Sequence, residues 1–182
     1  EAFTTVLQCF ASTKRAAVSS DIKNAFGQSM KTSRANKLAA SLPPNMTEAG
    51  FDVDPRQLLL CETEVYGLIS GPSWLRQSLV ADLQHLGYQV NKYDKCIMTL
   101  PSKTNDIMND GLVLIEVDDI LEGGNERHQA LMKKFYDKYN CGKCKRIQEL
   151  GDEGTLISGI RVVQHKDYSF TWHMKEYAEK MH

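Results

Sequence analysis

Residues 111–124 read GLVLIEVDDILEGG, an aliphatic run that breaks at Asp118 and Asp119 and then turns apolar again. Two adjacent carboxylates repel each other, and burying either without a partner is costly. The run therefore predicts a β-hairpin with apolar strands and with its turn at Val117, Asp118 and Asp119. Asp-Asp is not the Asn-Gly or Asp-Gly pair that short hairpins favour, so the acids face either water or a cation.

The neighbouring segments supply the rest of an α+β chain. KRAAVSSD (14–21) reads as a strand that delivers Asp21 at its end, followed by a turn or short helix in IKNAFGQSM. NKLAASLPP is a strand stopped by Pro43 and Pro44, residues 45–56 are loop-like, and QLLLCETEVYGL resumes β character. Leu75, Leu79, Val80, Leu83 and Leu86 recur at helical spacing. Ser70 or Ser73 is the candidate cap of that helix, Pro72 suits its first turn and Gly87 its end. KCIMTLP is a strand, and NERHQALMKKFYDKYN is an amphipathic helix capped by Asn125. TLISGIRVVQ and YSFTW are strands around the turn HKD, and MKEYAEKM is a terminal helix. Neither repeats nor low-complexity tracts occur.

The 182 residues suffice for one domain with a core, and their formal net charge of -1 gives no global argument for nucleic acid. Lys133, Lys134, Lys138, Lys143, Lys145 and Arg146 nevertheless crowd one region, either as a solvated face or as phosphate contacts. Five cysteines at irregular spacing suit a reducing compartment. Cys141 and Cys144 form a C-x-x-C without the second ligand pair of a structural zinc, leaving His128, His165 and Cys96 as loose candidates. No apolar run is long enough to span a membrane, so no membrane partner is expected. Position 1 is Glu, and the chain is expected to be a piece of something longer that opens without a signal peptide.

Acids at two strand ends, Asp21 and Asp118/Asp119, would converge at one rim if their strands are neighbours. Hard divalent cations such as Mg²⁺ or Mn²⁺ suit such a cluster, and a two-metal site can drive an in-line displacement at phosphorus. A solvated polar turn is the bland alternative. Three segments in order bear on the choice: VSSDIKNAF, EVYGLISGPSWL and LIEVDDILEGG. That order resembles the palm of reverse transcriptases from copia-type LTR retrotransposons, which run D-x-x-x-A-F, L-Y-G-L-K-Q-A-P-x-x-W and Y-V-D-D. EAFTTV, SLPPNM, GYQVNKYDKC and LISGIRVVQ are similar to further segments of that family, so the resemblance covers nearly the whole chain.

The resemblance implies a reverse-transcriptase palm: an antiparallel sheet with helices on one face across 1–165, a partial fingers insertion near 36–66, and the start of the thumb or connection at 166–182. It implies RNA-directed DNA polymerisation, with an RNA template, a DNA primer, deoxynucleoside triphosphates and other Pol polyprotein segments as partners, in a cytoplasmic virus-like particle. Asp21 and Asp118 would be the principal metal ligands, with Asp119 weaker and the Ile22 carbonyl a further oxygen. Ala25 and Phe26 would lie at the nucleotide, Phe26 excluding a 2′-hydroxyl unless it is simply a core residue. Gly67 would let the backbone approach the nucleotide. Pro72, Glu116 and Val117 would lie along template and primer, and Lys143 is a candidate cation for the leaving pyrophosphate.

The sequence departs from the family at Glu116, where the family has Tyr, and at Ile69, Ser70 and Ser73. The basic fingers hairpin is expected upstream of Glu1, so the fragment alone is expected to be inactive. A decayed or repurposed palm that only binds nucleic acid or a partner is the competing expectation, and a two-metal nuclease would share the acids without explaining Phe26.

Overall fold

In the computed structural model, which describes all residues except 33–36, 44, 47, 53, 55, 105–107, 143, 180 and 182, the chain is α+β with mostly antiparallel sheets. Val6, Leu7 and Phe10 line the buried side of helix α1 (Ala2–Ser12). Strand β1 (Val18–Asp21) follows, then a 3-10 turn at Ala25–Gln28 entered through Asn24 in the left-handed region. Among the described residues β2 (Leu38–Ser41) and β3 (Leu58–Cys61) form a separate two-stranded sheet, within the span expected as a fingers insertion. Pro44 and Lys143 lie outside the described residues.

Helix α2 (Gly71–His85) begins with Pro72 in its first turn, as read from sequence. Ser70 occupies the cap position without a side-chain cap bond, because its hydroxyl donates to Glu64 Oε2 at 3.0 Å. Gly87, at φ +96°, ends the helix while the Tyr88 amide donates to the Leu83 carbonyl. β4 (Gln89–Val90), β5 (Ile97–Leu100), β6 (Gly111–Glu116) and β7 (Asp119–Gly124) form a meander. α3 (Glu126–Lys138) is capped as expected, with Asn125 Oδ1 accepting from the His128 amide at 3.1 Å. β8 (Lys145–Arg146) lies on the far side of β1, giving the sheet order β4-β5-β6-β7-β1-β8.

The segment expected as one strand over TLISGIRVVQ is two: β9 (Thr155–Ile157) and β10 (Ile160–Gln164). Ser158 and Gly159 both have positive φ, 47° and 82°, the backbone of a tight hairpin turn. β11 (Phe170–His173) pairs with β10, so the expected boundary near 165/166 falls in the turn between two paired strands, and the short α4 (Lys175–Glu179) closes the described fold.

Helices cover both faces of the large sheet, where one covered face was expected. Val113, Ile115 and Ile120 pack on Leu75, Leu79 and Leu83 of α2 and on Met132 and Phe135 of α3. Leu114 and Leu121 face the other way, onto Val6, Leu7 and Phe10 of α1 and onto Ile157 and Val162 of the smaller sheet. The cause is visible in GLVLIE, which is apolar at successive positions and so needs cover on both sides. Each fully buried leucine contributes roughly 1.5–3 kcal/mol of transfer free energy.

The base of the β6–β7 hairpin is locked by a buried polar group. His128, wholly buried, meets Glu122 Oε2 at 2.6 Å through Nε2 and the Tyr88 hydroxyl at 2.8 Å through Nδ1. Gly111 and Gly124 make room for it, since a Cβ on Gly111 would stand 2.0 Å from His128 Nδ1.

Candidate acidic site

Directly opposed residues of an antiparallel pair share one face of the sheet. Glu116 opposes Asp119 across β6–β7, and Asp119 opposes Asp21 across β1–β7. Three acids therefore form a row across adjacent strands, on the face that α1 and the smaller sheet cover. Asp118 was expected to face Asp21, but the turn consumes Val117 and Asp118, so Asp119 takes that position. The Asp118 carbonyl instead accepts the Ile22 amide at 2.9 Å, extending the β1–β7 ladder by one step. Val117 holds the turn at φ +60°, a strained conformation for a β-branched residue.

The row is electrostatically loaded. Burial pushes the Asp119 carboxyl up from the usual range, and repulsion from Asp118 and Asp21 adds to it. Opposing this, Asp119 Oδ2 accepts from the Ser158 amide at 2.7 Å and from its hydroxyl at 3.2 Å. Glu116 is also raised, by burial first and then by Asp94 and Asp119. Across the hairpin it is Asp119, rather than Asp118 in the turn, that opposes Glu116.

Asp21 and Asp119 line a cleft of about 190 Å³ with Ser19, Gly142, Lys145 and Thr155. Lys145, read from sequence only as one member of the basic run, is the cation of this cleft. It opposes Ser19 and so shares the acids' face, whereas Arg146 opposes Val18 on the other face. A two-residue strand has no periodicity from which to read that. Lys143, the candidate named from sequence, lies outside the described residues.

The other candidates gather elsewhere. Ile22, Ala25 and Phe26 belong to the core on the α2–α3 side, Phe26 being 7% exposed. Its ring meets Tyr66 edge-on at a centroid distance of 4.5 Å, and a Cβ on Gly71 would sit 3.2 Å from it. Gly67 is exposed at φ +90°, and an added Cβ would meet nothing within 4 Å. Conformation rather than space explains that glycine. Pro72 and Val117 are exposed. Asp21, Asp119 and Lys145 thus share one cleft, while Phe26, Tyr66, Gly67 and Pro72 cluster at the start of α2.

Asp21, Asp118 and Asp119 offer only oxygen donors, and their mutual repulsion is what a divalent cation would relieve, so the donor chemistry fits Mg²⁺ or Mn²⁺. Among the described residues no group of three or more His, Cys, Asp or Glu side chains forms a ready cation cage, and this includes Cys141 and Cys144. No described helix is long and apolar enough to cross a membrane. No protein-family model matches the chain, and no curated protein or solved structure matches it.

Proposed function

We propose that the chain is the palm of a copia-type reverse transcriptase, a fragment of an RNA-directed DNA polymerase that adds deoxynucleotides to a primer by two-metal chemistry. The observation that carries the reading is the β1–β7 register, which sets Asp21 beside Asp119 with Asp118 on the adjoining turn. In the resemblance these are the acids of the first and third motifs. Asp21, Asp118, Asp119 and the Ile22 carbonyl would hold the ions, which when bound activate the primer hydroxyl and stabilise the leaving phosphate oxygen. Lys145 supplies a positive charge in the same cleft, suited to a phosphate group. Phe26 packs beneath Tyr66 close to the sequence of the second motif, so sugar discrimination by Phe26 requires Tyr66 to shift when a nucleotide enters.

The test is primer extension on an RNA template with a DNA primer, deoxynucleotides and Mg²⁺. It compares this chain with a longer polypeptide carrying the expected basic fingers hairpin. Extension by the longer protein, lost in Asp21→Asn with unchanged circular dichroism, is the expected result. Extension no greater than that of Asp21→Asn would overturn the polymerase reading. A second reading, a palm kept only as a binding module, is favoured by Glu116, which adds a third carboxylate to the acid row, and by the engagement of Asp119 with Ser158.

A further inference from the structure

The basic run between residues 133 and 146 is divided by the fold. Lys138 bonds Asp82 at 2.6 Å, and Lys145 enters the acid cleft. Lys133 and Arg146 instead meet Lys14 and Arg15 around a separate groove of about 590 Å³, floored by Val18, Gly123, Gly124 and Met132. A second cleft of about 490 Å³ shares Arg15 and Gly124 with it and adds Lys103 and Arg127. Along both, six cations face the three carboxylates Asp110, Glu122 and Asp137. Asp110 pairs with Arg127 at 2.5 Å, which spends that cation too, Glu122 is engaged by His128 at 2.6 Å, and Arg146 lies 3.7 Å from Glu149 beyond the clefts. In a chain of formal net charge -1, that is charge segregation.

We propose that this groove holds the phosphate backbone of a single-stranded nucleic acid without reading its bases. It starts at the base of the β6–β7 hairpin and reaches Val18 and Glu122, three residues and so roughly 10 Å along the strands from Asp21 and Asp119. It also opens on the α3 side of the sheet, so it is distinct from the acid cleft. The cations follow a track through two clefts rather than surrounding one point, which matches a repeating anion. Three of them are guanidinium groups; Arg15 donates one bond to the Asn109 carbonyl and Arg127 bonds Asp110 and the Pro101 carbonyl, and the donors left over on each fork suit phosphate oxygens. A single strand's flexible backbone can follow the two adjoining clefts, which share Arg15 and Gly124. Tyr136 is the one aromatic among its described lining residues, held by the Ser20 hydroxyl at 3.1 Å and edge-on to Phe135. Stacking therefore adds little, and binding tracks charge. The inference rests on this charge pattern and stands whether or not the acid row binds metal.

The test is fluorescence anisotropy of a labelled single-stranded oligothymidylate with the 182-residue chain, without divalent ions, over a salt series. Lys133→Glu/Arg146→Glu should weaken binding at least about ten-fold and make the slope of log K against log salt shallower by about 1.4, two contacts at about 0.7 each. Lys92→Glu/Lys166→Glu carries the same charge change on exposed residues outside the groove and should stay within about two-fold of the parent. Equal losses in both variants, no binding by the parent at low salt, or equal competition by poly-glutamate of matched charge would each overturn the inference, the last pointing to an acidic polypeptide. If the first variant unfolds, Lys14→Ala/Lys133→Ala, both at exposed positions, should show the same direction, and unchanged binding there overturns it. Absent primer extension with groove binding intact would count against the polymerase reading alone.

Discussion

At the scale of single residues, the decisive position is Val117. A β-branched side chain at φ +60° costs on the order of 1–3 kcal/mol, and glycine adopts that conformation freely while losing more chain entropy on folding. Val117→Gly is therefore expected to stabilise the chain by about 1 kcal/mol in urea denaturation. A destabilised variant would mean that the Val117 side chain makes contacts outweighing its backbone strain. Glu116 gives a second prediction with a defined sign. Its folded pKa is raised, so the protonated form is favoured by folding. Its contribution to stability is present below the unfolded carboxyl range and is lost as pH rises through the folded value. Glu116→Gln should raise Tm relative to the parent near pH 7 and have little effect near pH 3, and a uniform shift at both would show that charge is not the cause. The acids at the tip were legible because an apolar run cannot bury them. Which acid faces Asp21 was not, because one residue more or fewer in the turn exchanges Asp118 for Asp119 and flips the face.

At the scale of elements, α2 and α3 were legible from apolar spacing, Pro72, Gly87 and Asn125, all of which act locally. Helix α1 was not: Thr4, Thr5 and Val6 are β-branched, and Glu1 provides no side-chain cap, so tertiary packing of Val6, Leu7 and Phe10 makes the helix. The break in TLISGIRVVQ was also missed, although Ser-Gly is a turn signal, because the flanking residues read as continuous β. The hairpin base carries the sharpest element-level prediction. Gly111→Ala would drive a methyl group into His128, which Glu122 and Tyr88 hold from both sides. We expect a loss of about 2–3 kcal/mol, at the upper end of overpacking costs and well beyond the roughly 0.5–1 kcal/mol that alanine gains over glycine within a strand. A Gly111→Ala protein with parental urea midpoint would show that His128 can leave its slot cheaply.

At the scale of the whole molecule, the acid row joins two sheets. Asp119 begins β7 in the large sheet, and its carboxylate receives the amide of Ser158 at the β9–β10 turn of the smaller one. That bond occupies Oδ2, so a cation that draws on this oxygen of Asp119 competes with it, and under the proposed function metal binding is coupled to the packing of one sheet on the other. Mg²⁺ at about ten times its Kd should stabilise the chain by about 1.4 kcal/mol, a Tm rise of roughly 3–6 °C for a chain of this size. Asp21→Asn/Asp119→Asn should abolish the rise. In hydrogen exchange, the Ser158 amide should lose protection as Mg²⁺ is added, because its acceptor is drawn toward the ion while the rest of the fold is stabilised. A thermal shift without that local loss would leave Asp21 and Asp118 as the ligands and return Asp119 to a structural tie between the sheets. Local loss without a thermal shift would mean that the unfolded chain binds Mg²⁺ about as well as the folded one.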